Sequence, residues 1–167
     1  MKKLTKEDLT ELSRTLTLIE PNAQRQFIGG AGRDGDTLCI SGGTLIDTPE
    51  GVDFISDSGE TTHFSGVDLS TSWVTRNAAY QLNGTIHIGK KWLKNGFNLY
   101  DFAHEYGHYL QQRDPNHNYL CTMLKSVYSL LTDPKNHENQ PFEIDATRRG
   151  YEYLRDNAGK AGQKNGL

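Results

Sequence analysis

The segment FAHEYGHYLQQ, residues 102–112, constrains this chain more than any other part of its sequence. It holds His104 and His108 four positions apart, with Glu105 directly after the first histidine. On an α-helix, side chains four apart lie on the same face, so both imidazoles can reach one ion. Glu105 then lies about 100° around the helix, beside the ion, where it can hold and deprotonate a water molecule. The pattern predicts a helix that binds a metal ion, and zinc is the ion that HExxH helices bind.

A third ligand is expected downstream of this helix. A catalytic zinc ion takes three protein ligands and keeps its fourth position open. A third histidine in the spacing HExxHxxGxxH is excluded, because Gln111 and Asp114 occupy the two diagnostic positions. The remaining candidates are Glu138, Glu143 and Asp145, with His137 as an outsider.

Helix signals favour Glu143 among these candidates. Residues 139–157 predict a second helix, with Asn139 as its cap and Pro141 in its first turn. One stripe of that helix carries Glu143, Ala146, Gly150 and Leu154. A carboxylate followed along its own face by alanine and glycine suits close packing against the first helix. Glu143 is therefore the predicted ligand, and Asp145 is expected to cap or buttress, for instance by hydrogen-bonding a ligating histidine.

The glycine inside the first helix also indicates that another chain segment or a ligand lies close to this helix. Gly107 costs that helix about 1 kcal/mol relative to alanine. Such a cost is tolerable where another backbone must come close or a ligand needs room.

The part of the chain before the motif is rich in β-strand signals. Residues 36–69 hold the runs DTLCIS, GTLID, VDFIS and THFSGVDL between turn-rich segments, which predicts a small antiparallel meander. Residues 72–82 fit either a helix or a strand. A strand over Thr85–Ile88 is expected after the turn at Asn83-Gly84, and Asn95-Gly96 signals a second turn. The predicted class is α+β, with a β-rich N-terminal part and a helical C-terminal part.

Composition narrows the functional classes. The 167 residues suit one domain, and a net charge of −3 leaves no basic footprint for nucleic acid. No stretch approaches the roughly 20 apolar residues of a membrane-spanning helix. Cys39 and Cys121 lie far apart in the sequence and are expected to be buried thiols, with one disulfide as the alternative in an exported protein.

The N-terminal segment has features of an export signal. Residues 4–19 predict an amphipathic helix, and the apolar pair Phe27-Ile28 then precedes Gly29-Gly30. Residues 1–30 thus resemble the double-glycine leaders of small proteins exported by peptidase-containing ABC transporters. The resemblance implies that such an exporter recognises and cleaves the glycine pair, which leaves residues 31–167 as one secreted bacterial domain. The alternative is a domain helix followed by a glycine turn, in a cytoplasmic protein.

Residues 99–155 resemble gluzincin-type zinc metallopeptidases, in which HExxH is followed by a glutamate on a second helix. More narrowly, HEYGHYLQQ and the later FEIDATRRGYEYL are similar to bacterial zincin-like domains with HExGHxxQ and E-x-x-A. The resemblance implies a small zincin-like metallopeptidase domain. It implies one Zn²⁺ ion held by His104, His108 and Glu143, with Glu105 as the general base.

The resemblance also leaves open points. Larger gluzincins have E-x-x-x-D, whose aspartate supports the first histidine, and Thr147 stands at that position here. That support is therefore missing or comes from elsewhere. The strand around Ile86 and Ile88 would suit the edge strand that aligns substrate in zincins. A transition-state donor could come from any of five residues: Tyr106, Tyr109, His137, Arg148 or Tyr151.

Two functions are consistent with these features. The first is a zinc metalloendopeptidase that hydrolyses peptide bonds in a peptide or protein substrate. The second is a secreted, non-catalytic protein of zincin fold that binds or antagonises a partner.

Overall fold

The computed structural model describes residues 37–72 and 78–160. Its strands are β1 Thr37–Ile40, β2 Gly43–Thr48, β3 Gly51–Ser56, β4 Thr61–Ser65, β5 Asp68–Ser72, β6 Ala79–Leu82 and β7 Thr85–Gly89. Its α-helices are α1 Lys90–Asn95, α2 Leu99–Arg113, α3 Tyr119–Thr132 and α4 Pro141–Asn157, with a 3₁₀-helix at His137–Asn139. The predicted α+β class is confirmed. The leader predicted over residues 1–30 lies outside the described residues.

The predicted meander is confirmed as a four-stranded antiparallel sheet in the order β1-β2-β3-β4. Side chains alternate between its two faces, so that Leu45 of β2 and Phe54 of β3 are direct cross-strand partners on the inner face. Both are buried, as are Val52 and Phe64. The outer face carries polar pairs such as Asp53 with His63, whose carboxylate and ring nitrogen lie 2.6 Å apart. The sheet therefore supplies one wall of the apolar core.

A second sheet of three strands has the order β5-β7-β6. β5 comes from the run THFSGVDL, which divides at Gly66 because the backbone there turns with φ +74°. The expected strand over Thr85–Ile88 is confirmed, but the expectation that it forms an edge is wrong. It lies between a parallel and an antiparallel neighbour, and Ile86 and Ile88 are fully buried, as is typical of a central strand. Within the described residues, the edge strands of this sheet are β5 and β6, and β6 is the edge that contacts the HExxH helix.

The helix that carries the HExxH motif, α2, begins with a capping box. The Asn98 side chain accepts hydrogen bonds from the Tyr100 and Asp101 amides, and the Asp101 carboxylate accepts from the Asn98 amide at 2.9 Å. The ring of Phe64 packs edge-on against Phe102 and Tyr106, with centroids 4.9 and 5.1 Å apart. These contacts fix the helix against the meander, and the adjacent face with Ala103 and Gly107 meets α4.

Two smaller predictions need correction. Helix α4 does begin at Pro141, but Asn139 belongs to the 3₁₀-helix and Gln140 takes the N-cap position. Cys39 and Cys121 are exposed and unpaired, not buried. Cys39 lies between the inward-facing Leu38 and Ile40, so strand alternation turns it outward. None of the helices in the described parts of the chain is long and apolar enough to cross a membrane.

Candidate metal centre

Helices α2 and α4 cross at very close range around the motif. A Cβ atom at Gly107 would overlap the carbonyl of Ala146, and one at Gly150 would overlap the carbonyl of Ala103. Each helix thus contributes one glycine that admits the backbone of the other. The predicted reason for Gly107 and for the stripe of small residues on α4 is confirmed.

The crossing brings the three predicted metal ligands together. The Nε2 atoms of His104 and His108 lie 3.2 and 3.0 Å from the same carboxylate oxygen, Oε2 of Glu143. One ligand atom from each residue falls within 4.8 Å of the others, so the group could hold a metal ion. Two imidazole nitrogens and one carboxylate oxygen are a donor set that suits several divalent metals, zinc among them.

The far sides of both imidazoles are hydrogen-bonded. Nδ1 of His104 lies 2.8 Å from Oγ1 of Thr147, and Nδ1 of His108 lies 3.0 Å from Oε1 of Gln111. These bonds leave both Nε2 atoms facing the carboxylate of Glu143. The support for the first histidine is therefore not missing, because Thr147 itself provides it. The prediction that Asp145 bonds a ligating histidine is wrong, since Asp145 instead accepts from Nε2 of Gln111.

The second oxygen of Glu143 is held from the opposite side. Ser126 of α3 donates to Oε1 at 2.9 Å, and Nε2 of His137 lies 3.1 Å from the same atom. Burial acts to raise the pKa of this carboxyl, but hydrogen bonds from His104, His108 and Ser126 outweigh it and lower the pKa well below its ordinary value. Glu143 is therefore a buried carboxylate that stays ionised.

Of the other candidates for the third ligand, His137 lies beside Glu143, whereas Glu138 and Asp145 lie elsewhere. Glu138 is exposed on the 3₁₀-helix. Asp145 forms ion pairs with Arg148 at 2.6 Å and Arg149 at 2.8 Å. Burial would raise the pKa of Asp145, yet hydrogen bonds from Gln111 and these two arginines lower it to about 2. Its carboxylate is thus already committed to partners on the surface side of α4.

Glu105 lies beside the histidines in a nearly closed environment. Its side chain is only 6% exposed, and burial raises its pKa, against the opposing effect of the nearby histidines. The backbone N–H of Gln81 on β6 donates to its carboxylate. The Gln81 side chain in turn donates to Oε1 of Gln112 on α2 at 2.8 Å, which ties the edge strand to the motif helix.

A cavity of about 470 Å³ opens onto this group. Its walls come from the edge strand β6, from α3 and from the metal-ligand group, and its lining includes Leu82, Glu105, Met123, Val127 and His137. Of the five predicted transition-state donors, His137 lines this cavity. Tyr106 donates to the carbonyl of Ser65 within the core, and Arg148 is paired with Asp145 and Glu152.

Three elements of the site were not predicted from the sequence. The edge strand β6 lies in a segment whose periodicity did not separate helix from strand. Ser126 sits in the apolar stretch of α3, where no motif marks it. Gln111 fills the last position of the HExGHxxQ pattern, but its bond to His108 was not predicted, although a buried glutamine one turn after a ligating histidine is itself a signal of hydrogen bonding to that ring.

Comparison of the chain with protein-family models, with curated proteins and with solved structures finds no match.

Proposed function

We propose that this chain is a zinc-dependent metallopeptidase that cleaves peptide bonds. The observation that carries the proposal is the convergence of His104, His108 and Glu143 with Glu105 beside them at the wall of one cavity. Two histidines and a carboxylate are the ligand set of one common type of catalytic zinc site. The same side chains could serve another divalent metal, so zinc is part of the proposal.

The proposed chemistry assigns a task to each residue. His104, His108 and Glu143 would hold the zinc ion, which would supply Lewis acidity toward a water molecule and a peptide carbonyl. Glu105 would accept the proton of the attacking water and return it to the leaving amine. Its raised pKa suits both steps, because a base that is easily reprotonated is also an effective acid. Thr147, Gln111, Ser126 and His137 keep the ligands oriented.

The edge strand provides a means of binding an extended peptide. In the antiparallel pair of β6 with β7, Tyr80 lies opposite His87, and Gly89 donates to the carbonyl of Ala78 at 2.9 Å. The backbone groups of Ala79 and Gln81 therefore face away from β7, toward the cavity and Glu105. A substrate strand could add to this edge through main-chain hydrogen bonds and bring its scissile bond beside the ligands.

The test is digestion of a mixed peptide library, followed by mass spectrometry of the products. We expect cleavage by the zinc-loaded protein, no cleavage after chelation, and recovery when zinc is added back. Glu105→Gln serves as the matched variant, because it preserves the shape of the side chain and removes the base. A protein that binds zinc stoichiometrically and cleaves nothing would favour the non-catalytic binding function instead.

A further inference from the structure

We propose that Gln111 is a positioning residue that fixes the proton of His108 on Nδ1 and so presents Nε2 to the metal ion. This inference rests on the proposed metal site and adds a specific role for a residue outside the ligand set. It is carried by the hydrogen-bond partners of one buried amide.

The orientation of the Gln111 amide is determined by its surroundings. Its side chain is fully buried, and Nε2 lies 2.8 Å from the carbonyl oxygen of Phe142 and 2.9 Å from Oδ2 of Asp145. A carbonyl and a carboxylate can only accept, so the NH₂ group must face them. Turning the amide over would place its oxygen against two acceptors and leave all three groups without a donor.

The oxygen at the opposite end of the amide then determines which ring nitrogen of His108 carries a proton. Oε1 of Gln111 lies 3.0 Å from Nδ1 of His108, and an amide oxygen can only accept. Nδ1 must therefore be the donor and carry a proton. The nitrogen that remains for a metal ion is Nε2, which is the one that faces Glu143 at 3.0 Å.

Hydrogen bonds from Arg149 hold the Asp145 carboxylate, which is one of the acceptors that orient Gln111. Nε of Arg149 donates to Oδ2 of Asp145 at 2.8 Å, and Nη2 of Arg149 donates to Asp114 at 2.9 Å. Asp114 ends α2, the helix that carries Gln111, while Asp145 and Arg149 belong to α4. The chain of bonds thus runs from the surface, across both helices, to the ligating histidine.

His104, the first histidine, has no equivalent hydrogen bond that determines where its proton lies. Its Nδ1 partner is the hydroxyl of Thr147, which can either donate or accept. Thr147 can hold the ring of His104 but cannot by itself decide where the proton resides. Among the hydrogen bonds on the Nδ1 side of the two histidines in the described structure, it is the bond to Gln111 that imposes a proton position.

The experiment compares Gln111→Met with Gln112→Met in the full chain. Both changes replace a glutamine of the same helix turn by a side chain of similar length, but Gln112 bonds Gln81 and not a ligand. Zinc affinity is measured by competition with a chromogenic chelator. We expect Gln111→Met to bind zinc about 10- to 100-fold more weakly than the unaltered chain, and Gln112→Met to stay within about twofold.

A second readout separates positioning from a merely structural role. In ¹⁵N-labelled, zinc-loaded protein, the Nδ1–H of His108 should give a signal protected from exchange with solvent, and Gln112→Met should keep it. Gln111→Met should lose it. Asp145→Ala, which removes one of the two acceptors that orient the amide at a partly exposed site, provides a further variant if Gln111→Met does not fold, and is expected to speed the exchange of the same proton.

The outcomes distinguish the inference from the function on which it rests. Failure of the unaltered chain to bind zinc would contradict the proposed function. Tight zinc binding by the unaltered chain, with unchanged affinity and an unchanged Nδ1–H signal in Gln111→Met, would overturn the role of Gln111 alone. If only Asp145→Ala is folded, an unchanged exchange rate in that variant would overturn it equally.

Discussion

Gly107 of α2 lies directly against the carbonyl of Ala146 on α4, with no room for a side chain between the two backbones. Gly150 of α4 makes the reciprocal contact with Ala103 of α2. Ala103 and Gly107 directly precede His104 and His108 in the sequence, and Ala146 lies one turn after Glu143. Close approach of the backbones is therefore what allows a short glutamate on one helix to reach two histidines on the other.

We predict that Gly107→Ala destabilises the protein even though alanine is the better helix former. The gain in helix propensity is about 1 kcal/mol, whereas the new methyl group must push α4 away from α2. Overpacking of this kind costs about 1–3 kcal/mol or more, so we expect a net loss in the free energy of unfolding. Urea denaturation measures it, with Arg155→Ala at an exposed site of α4 as the control. Metal affinity should fall together with stability.

The helical part of this site could be predicted because helix geometry is local. A repeat of 3.6 residues fixes which residues share a face, and this was enough to place Glu143, Ala146 and Gly150 toward the motif helix. The partner of His104 could not be predicted in this way. The gluzincin motif has an aspartate at the position of Thr147, so the motif alone suggests that the support is lost. Only the structure shows that the two helices lie close enough for the Thr147 hydroxyl to reach the ring of His104.

The order of the strands in the second sheet is another feature that could not be predicted from the sequence. Local alternation indicates that Thr85–Ile88 is a strand, but its neighbours are determined by pairing between distant segments. β5 and β7 are direct neighbours in the sheet, although β6 lies between them in the sequence. This parallel pairing places β7 at the centre of the sheet. The edge that faces the site consequently passes to β6, a four-residue strand with a weak signal of its own.

We predict that Glu143→Ala abolishes stoichiometric metal binding, whereas Glu138→Ala does not. Glu143 supplies the oxygen that faces both histidines, and its loss also leaves the hydrogen bonds of Ser126 and His137 without their acceptor. Glu138 is exposed and serves as the matched control. Metal content after dialysis, measured by mass spectrometry, should fall in His104→Ala and Glu143→Ala alike. Loss of the ion in His104→Ala alone would contradict the assignment of Glu143.

Glu105→Gln should separate metal binding from turnover. The amide keeps the size of the side chain and removes the base, so we expect zinc content to be unchanged and kcat to fall by about 10²–10⁴-fold. The assay follows a peptide that the library digest identifies as a substrate. Glu152→Gln, at an exposed position on α4, controls for the loss of one carboxylate and should retain full activity. Full activity in Glu105→Gln would rule out the proposed mechanism.

His87 should make the protein sensitive to acid independently of the metal site. It is 4% exposed on the central strand, its ring stacks on Tyr80 at 4.6 Å, and neither ring nitrogen has a hydrogen-bond partner within residues 37–72 and 78–160. Burial lowers its pKa from 6.5 to about 4, because a charged imidazolium would lie in an apolar environment without a partner. The folded protein therefore holds His87 neutral at pH 7.

The consequence for stability follows from the direction of this shift. Between pH 6.5 and about pH 4 the unfolded chain binds a proton at His87 that the folded protein does not, so acid favours unfolding. The contribution is fully present above pH 6.5 and is lost progressively toward pH 4, by about 3 kcal/mol at most. His87→Leu removes the titrating group and should lose less stability between pH 7.5 and pH 4.5 than the unaltered chain does. Urea unfolding of the chelator-treated proteins at both pH values measures the difference, and equal losses in the two proteins would show that His87 is not the group responsible.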